Sequence, residues 1–366
     1  MDENFSAGRY TRQTILPEIG ATGQERLTRA RVLVIGAGAL GTPALYYLAA
    51  AGVGTLGIAD DDALELSNLH RQILYRTADI GRSKAEAAAE RLTDFNPDIR
   101  IETHTRRVDA SNATALIRGY DMVLDATDRL ETKFLVNDAC AQAARPLVHA
   151  AVLGFEARVA IFDATSGPCL RCLFPAPPAS PALTCSEAGV LGAVTGMAGS
   201  LQALEAIKLI IATGGANPLR TLLGRLWLLD GRTLETRVVE LPRDPACPVC
   251  KQPQESISLA PEPVTVARVE PSELDLQGDA LLIDVREDNE WAQGHLPDAV
   301  HYPLSRLVET VPELPAHERY IVYCAHGLRS ETAARLFTTA GYLDVYSLKG
   351  GLAAVAGDKT ARQSSG

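Results

Sequence analysis

Residues 31–41 read RVLVIGAGALG, and that stretch decides the architecture. A short run of apolar, mostly branched residues followed by Gly36, Gly38 and Gly41 implies a strand that runs straight into a strand-to-helix turn. In such a turn glycine lets the backbone approach a phosphate closely, and the first amides of the following helix point at the anion. The next strand-like run, TLGIAD, ends at Asp60, about twenty residues on, where a carboxylate accepts from a ribose hydroxyl. Taken alone, this pattern suggests a nicotinamide dehydrogenase.

Outward from the loop, strand-like and helix-like runs alternate: TLGIAD, SKAEAAAERLTDF, IRIETHT, DMVLDATD. Alternation of this kind predicts crossover units and a mainly parallel sheet, so the fold class is α/β and Rossmann-like. The pattern breaks after Cys250, where KQPQESISLAPEPV is polar, rich in Pro, Ser, Gln and Glu, and lacks apolar periodicity. We read 1–250 as a first domain and 251–263 as a linker. Alternation resumes with ALLIDVR, RYIVYCAHG, ETAARLFTTAG and DVYSL, which predicts a second, smaller α/β domain over 264–357. The polar end, 358–366, reads as a disordered tail.

Composition narrows the function. At 366 residues, 46% hydrophobic and 22% charged, the chain has the balance of a globular protein with two cores. A formal net charge of −10 argues against a nucleic-acid surface, which would show a basic patch. The apolar stretch from Leu191 to Ile211 is interrupted by Gly192, Gly196, Gly199, Gln202, Glu205 and Lys208, so it predicts a buried or subunit-interface helix rather than a membrane span. MDENFSAGRYTRQ has no basic segment followed by an apolar one, so no signal peptide is expected and the chain is assigned to the cytoplasm. There, seven cysteines are not a disulfide framework, because thiols are kept reduced.

The segment DDDALELSNLHRQILYRTADIGRSKAEAA is polar and cationic where a dehydrogenase would continue into another ordinary crossover. Arg71, Gln72 and Lys84 converge on a triphosphate in one reading, their cations stabilising charge that develops on a phosphoryl group. In the plainer reading they are surface residues of a solvated loop. Asp128, at the end of DMVLDATD, is placed to hold Mg²⁺ beside substrate phosphates, or else simply caps a helix.

Cysteine spacing is more specific. Cys169 and Cys172 form CLRC, and Cys247 and Cys250 form CPVC, the usual pattern of a closed four-thiolate zinc site. Cys185 belongs to no pair, and Cys140 reads as a small buried hydrophobe. Cys324 follows a strand and opens CAHGLR, ahead of a helix. Backbone amides, the helix N-terminus and Arg329 are expected to favour its thiolate or persulfide.

RYTRQ, GAGALG, DDD…LSNLHRQ, DIGRSK and DATD together resemble the MoeB/ThiF family, itself similar to ubiquitin-activating enzymes, over roughly residues 9 to 250. The resemblance implies that Asp60 binds ribose and that Asn68, Arg71 and Lys84 contact phosphates, with Asp62 and Gln72 in the same pocket. It further implies that Asp128 carries magnesium and that Arg12 reaches the ATP of the other subunit of a homodimer. The four paired cysteines match the family's zinc positions. A cysteine at the place of Cys185 forms a covalent link to the carrier in some members and is dispensable in others. The second domain, with IDVRE, GHLPDA, YCAHGLRS and LKGG, resembles the rhodanese family over residues 264 to 356. That likeness makes Cys324 the acceptor of sulfane sulfur, with 325 to 329 as its cradle and Asp284, Arg286 and His295 as braces. The implied function is ATP-dependent adenylation of the C-terminal glycine of a small ubiquitin-like sulfur carrier ending in Gly-Gly, then sulfur transfer from thiosulfate or a desulfurase persulfide. Two rivals stand beside it: an oxidoreductase with a fused sulfurtransferase, and a non-catalytic module that docks a ubiquitin-like protein.

Overall fold

The structure, a computed structural model, describes residues 8–177, 189–212, 219–259, 266–276, 280–307, 311–317 and 319–355. These fall into two compact units, the first made of the described residues up to 259 and the second of those from 266 on. Each is considered by itself.

The first unit is built on an eight-stranded sheet in the order β3-β2-β1-β4-β5-β6-β7-β8. The parallel part comprises β1 (Arg31–Ile35), β2 (Thr55–Ala59), β3 (Arg100–His104), β4 (Met122–Asp125) and β5 (Leu147–Leu153). β1, β2 and β4 are buried almost throughout, which is why they read as continuous apolar runs rather than as alternating ones. Val32 and Val34 pack on one face and Leu33 and Ile35 on the other, so the sheet is covered on both sides. The expected parallel sheet is thus present, and the chain extends it with antiparallel β6 (Glu156–Phe162), β7 (Arg225–Asp230) and β8 (Glu235–Glu240). β8 is exposed along its whole length, so no buried apolar face marks it in the sequence.

β1 lies between β2 and β4, so the strand order reverses there. Ile35 pairs with Ala59 on one side and with Asp125 on the other. The crevice beyond the carboxyl ends of β1 and β4 is therefore the switch point at which open α/β sheets bind ligands.

The apolar stretch expected as a buried or interface helix forms Gly192–Ala212, which packs on the Gly41–Ala51 helix and on β5. By length and composition it could cross a membrane, with mean hydropathy 1.3, but 56% of its most apolar window is buried inside the unit. Within the stretch read as linker, residues up to Ile257 belong to this unit. Ile257 is buried beside Cys169 and Cys247, and its carbonyl accepts from Gln142 Nε2 at 3.1 Å.

The second unit has a five-stranded, all-parallel sheet in the order β11-β10-β12-β13-β9. Its strands are β9 (Ala267–Val269), β10 (Ala280–Asp284), β11 (Val300–His301), β12 (Arg319–Tyr323) and β13 (Val345–Leu348). The helix Leu328–Thr339 follows β12, as the alternation predicts, and packs on β12 and β13. Here the reversal of strand order falls between β10 and β12, which puts Asp284 and Cys324 at neighbouring strand ends. The tail expected to be disordered lies outside the described residues.

Candidate functional site

At the end of β1 the chain turns through Gly36, whose φ of +95° favours glycine. A Cβ there would lie 2.7 Å from the Ala126 carbonyl oxygen, and one at Gly41 would lie 1.9 Å from the Gly36 oxygen. Both positions require glycine. Gly38 differs, since a Cβ would meet nothing nearer than Gln72 Nε2 at 3.7 Å, so its freedom is on the open side of the loop.

Asp60 anchors the turn. Its Oδ2 accepts from Ala37 N at 2.7 Å and its Oδ1 from Asp62 N at 2.9 Å. Burial raises its pKa above the ordinary carboxylate value, although the Lys84 charge and these amides oppose the rise. Lys84 Nζ donates to Asp62 Oδ2 at 2.7 Å, and the lysine is only 6% exposed. It opens the Lys84–Phe95 helix, whose N-cap is Ser83. Tyr75 ties the two pieces together, its hydroxyl contacting the carbonyls of Ala37 at 2.7 Å and Lys84 at 3.2 Å.

The loop between Asp62 and Lys84 folds back over the glycine turn. Asn68 is buried and accepts from Glu65 N at 3.2 Å, closing a short 3-10 turn. Arg71 is half-buried, with Nη1 2.8 Å from the Ser67 carbonyl. Gln72 is 4% exposed, yet its Oε1 has no hydrogen-bond partner among the described residues. A buried acceptor left open beside Gly38 fits a bound ligand better than an empty surface. Asp128 is exposed in the loop after β4, the Ala126–Thr127 part of which touches Gly36. The structure thus joins Gly36, Gly41, Asp60, Asp62 and Lys84 at one turn with Gln72 facing Gly38, while Asn68 and Arg71 lie on the 62–84 loop and Asp128 follows the Ala126–Thr127 segment that meets Gly36.

Arg12 lies apart from this cluster. It is exposed on the Thr11–Thr14 helix, and its neighbours pin that segment to the far end of the Gly41–Ala51 helix. Gln13 Nε2 donates to Ala51 O at 3.1 Å, and the Tyr10 hydroxyl accepts from Asn96 Nδ2 at 2.9 Å. Eleven helical residues separate the two ends, about 16 Å of rise.

One group was not visible to sequence reasoning. Asp125, fully buried at the end of β4, accepts from Lys133 Nζ at 3.2 Å and from His149 Nδ1 at 2.7 Å. Burial works against its charged form, but Lys133 and His149 outweigh that and hold its pKa below the usual carboxylate range. Burial lowers the pKa of His149, which therefore stands neutral and donates through Nδ1. The partners lie 8 and 24 residues from Asp125, so no local spacing announces them.

The four paired cysteines meet. All four Sγ atoms of Cys169, Cys172, Cys247 and Cys250 lie within 4.8 Å of one another, with Cys169–Cys247 and Cys172–Cys250 both at 3.6 Å. A tetrahedral Zn–S distance of about 2.3 Å gives sulfur separations of about 3.8 Å, so the donor set fits zinc. Burial pushes the Cys169 thiol well up, and its three sulfur neighbours add to the rise, so four thiolates need a cation to coexist. The Leu130–Ala143 helix holds one pair from outside. Arg171 forks onto Asp138 at 2.6 to 3.0 Å, and Leu170 N donates to Asn137 Oδ1 at 2.8 Å. Cys140, on the same helix, is buried among apolar side chains, as read. Cys185 lies outside the described residues.

In the second unit Cys324 is 1% exposed, and the Gly327 amide donates to its Sγ at 3.1 Å. Gly351 passes so close that a Cβ would lie 2.3 Å from the Cys324 carbonyl oxygen, while Leu352 N donates to that oxygen at 2.8 Å. The loop 324–329 is thereby held as a cradle at the head of the Leu328–Thr339 helix. Arg329 is paired bidentately with Glu290. Arg286 forks onto buried Asp284 and reaches the Gly294 carbonyl at 2.6 Å, so this pair braces the loop after β10. His295 stacks on Trp291 at 3.6 Å, with His301 on the same indole at 4.5 Å. His326 is exposed.

A Rossmann-like unit with a glycine turn, a buried lysine–carboxylate cluster and a four-cysteine knot, followed by a rhodanese-type unit, defines the class of protein. Its family model, ThiF family, matches residues 10–249, and the Rhodanese-like domain model matches 272–358. The chain belongs to the ThiF family and carries a C-terminal rhodanese domain. It is 39% identical over 365 residues to "Adenylyltransferase and sulfurtransferase MOCS3" of Anopheles gambiae, covering 91% of this chain and 81% of that one. It is also 39% identical to "Probable adenylyltransferase/sulfurtransferase MoeZ" of Mycobacterium tuberculosis, covering 94% and 92%. "Sulfur carrier protein adenylyltransferase" of Thermus thermophilus is 46% identical over 248 residues, 66% of this chain and 90% of that one. Among solved structures, E. coli MccB with ATP has a TM-score of 0.58 at 22% identity, covering 69% of this chain and 77% of that one. That likeness shows the fold.

Proposed function

We propose that this chain adenylates the C-terminal carboxylate of a ubiquitin-like sulfur carrier and then delivers sulfur to it from a persulfide on Cys324. The observation that carries the reading is the joining, in one chain, of the glycine-turn cluster around Lys84 and Asp128 to a cradled cysteine at the end of β12. Relatives aligned over nine-tenths of the chain bear both activities in their names.

The first step needs no protein nucleophile. The carrier's carboxylate oxygen attacks the α-phosphorus of ATP, the bond to the bridging oxygen breaks, and pyrophosphate leaves. Asp60 holds the ribose, backbone amides after Gly36 meet phosphate oxygens, and Asn68, Arg71 and Lys84 offset charge as it develops. Lys84 reaches this role by leaving or sharing its partner Asp62. Asp128 would hold Mg²⁺, which supplies charge neutralisation between phosphates. Zinc at the four cysteines is structural, tying the segment around Cys247 to the loop around Cys169.

In the second step the terminal sulfur of the Cys324 persulfide attacks the acyl carbon and AMP leaves, giving an acyl disulfide. A second thiol attacking Cys324 Sγ then releases the thiocarboxylate and leaves a disulfide. A thiol reductant resets that disulfide. Fusion of the two units raises the effective concentration of the sulfur donor.

Arg12 supports a homodimer as the working form, because its segment is fastened at the end of the Gly41–Ala51 helix remote from its own glycine turn. Such thiol chemistry suits a cytoplasmic setting. The test incubates the intact chain with Mg-ATP, a Gly-Gly-tailed carrier and thiosulfate or a persulfidated desulfurase, and weighs the carrier. Replacement of one carboxyl oxygen by sulfur is expected; an unchanged carrier mass with each donor and carrier overturns the reading.

A further inference from the structure

The Lys133–Asp125–His149 cluster has no task in the reaction just described. A buried charged group is an expensive choice, and apolar residues of similar volume often serve stability as well or better. Its geometry suggests what it does. Asp125 gives Oδ2 to Lys133 and His149, and Lys133 is itself fixed by the Ala150 carbonyl at 2.7 Å. The other oxygen, Oδ1, accepts from Thr127 N at 3.1 Å and Thr127 Oγ1 at 2.6 Å, closing the turn that leads to Asp128. From the other face of the sheet, Gln202 Nε2 donates to the main-chain oxygens of Asp125 and Val148 at 2.8 and 2.9 Å. The end of β4 is therefore clamped from both sides.

The clamped turn is the one that touches the glycine loop. Ala126 O and Thr127 N lie 2.7 and 3.1 Å from where a Gly36 Cβ would stand. A small shift of this turn would move Asp128 relative to a triphosphate seated at the glycine loop, and the exposed aspartate makes no hydrogen bond or ion pair among the described residues to hold it.

The geometry points to Lys133 and His149 as positioning residues that, through Asp125 and Thr127, fix Asp128 for the magnesium-bound triphosphate. This rests on the assignment of Asp128 made above. The experiment titrates a non-hydrolysable ATP analogue into the intact chain at a series of Mg²⁺ concentrations, by calorimetry, for wild type, Lys133→Met and Thr127→Val, with a melting curve for each. Metal-free nucleotide affinity is expected to stay within about twofold, while the half-saturating Mg²⁺ concentration rises about tenfold in Lys133→Met and about threefold in Thr127→Val, as for a lost hydrogen bond. Wild-type Mg²⁺ dependence in a natively melting Thr127→Val overturns the proposal. If Lys133→Met fails to fold, Thr127→Val decides alone. A wild-type chain whose nucleotide affinity ignores Mg²⁺ removes the Asp128 assignment instead, and the proposal with it.

Discussion

Arg329 sets both terminal nitrogens 2.6 Å from the two carboxylate oxygens of Glu290, a forked pair between the Cys324 cradle and the short Asp288–Trp291 helix. The cation expected to favour a Cys324 thiolate is thus answered by a carboxylate 39 residues away. That pairing has consequences for pH.

Arg329 holds the Glu290 carboxyl down to about 2, so its folded pKa is depressed below the unfolded value of about 4.3. A depressed pKa contributes stability that is present above the unfolded value and lost as pH falls toward the folded one. Glu290→Gln should therefore lower the melting temperature of the rhodanese unit at neutral pH, and the gap to wild type should close between about pH 4.3 and 2. A gap that stays constant across that range contradicts the ion pair.

The two activities should separate at Cys324. Cys324→Ala is expected to keep carrier-dependent pyrophosphate exchange and to lose sulfur transfer from thiosulfate. Equal transfer by the variant would refute the role of this thiol.

Zinc should depend on each paired cysteine. In Cys247→Ser, metal content is expected to fall from about one equivalent per chain toward zero, with a lower melting temperature for the larger unit. Undiminished zinc, measured by atomic emission, rules out the four-thiolate site.

The glycines of the turn should part company. Gly41→Ala meets backbone at 1.9 Å and should cost about 2–3 kcal/mol in urea unfolding. Gly38→Ala, with open space around it, should melt like wild type and weaken only ATP binding. Equal destabilisation by both would show that the loop is folded differently.

Where the sequence was legible, the signal was local or repeated. RVLVIG running into three glycines and two C-x-x-C pairs each carry their meaning within a few residues. The strands β1, β2, β4, β10 and β12 follow from apolar runs, and β3 and β13 from their places in the alternation. What stayed hidden depended on distance along the chain or on a single buried side chain. DATD reads equally as a metal site or a helix cap, because Lys133 and His149 reach Asp125 from another helix and another strand. Glu290 gives no sign that it faces Arg329. Ile257 sits in a polar stretch whose composition announces a linker, yet one buried isoleucine beside the cysteines is enough to attach it.

The most direct test of the central claim is ATP–pyrophosphate exchange by the intact chain with Mg-ATP and a carrier ending in Gly-Gly. Exchange should appear only when the carrier is present, and Asp128→Ala should lower it by about a hundredfold or more. A folded chain that gives no exchange with any such carrier, or exchange that Asp128→Ala leaves untouched, would contradict the account.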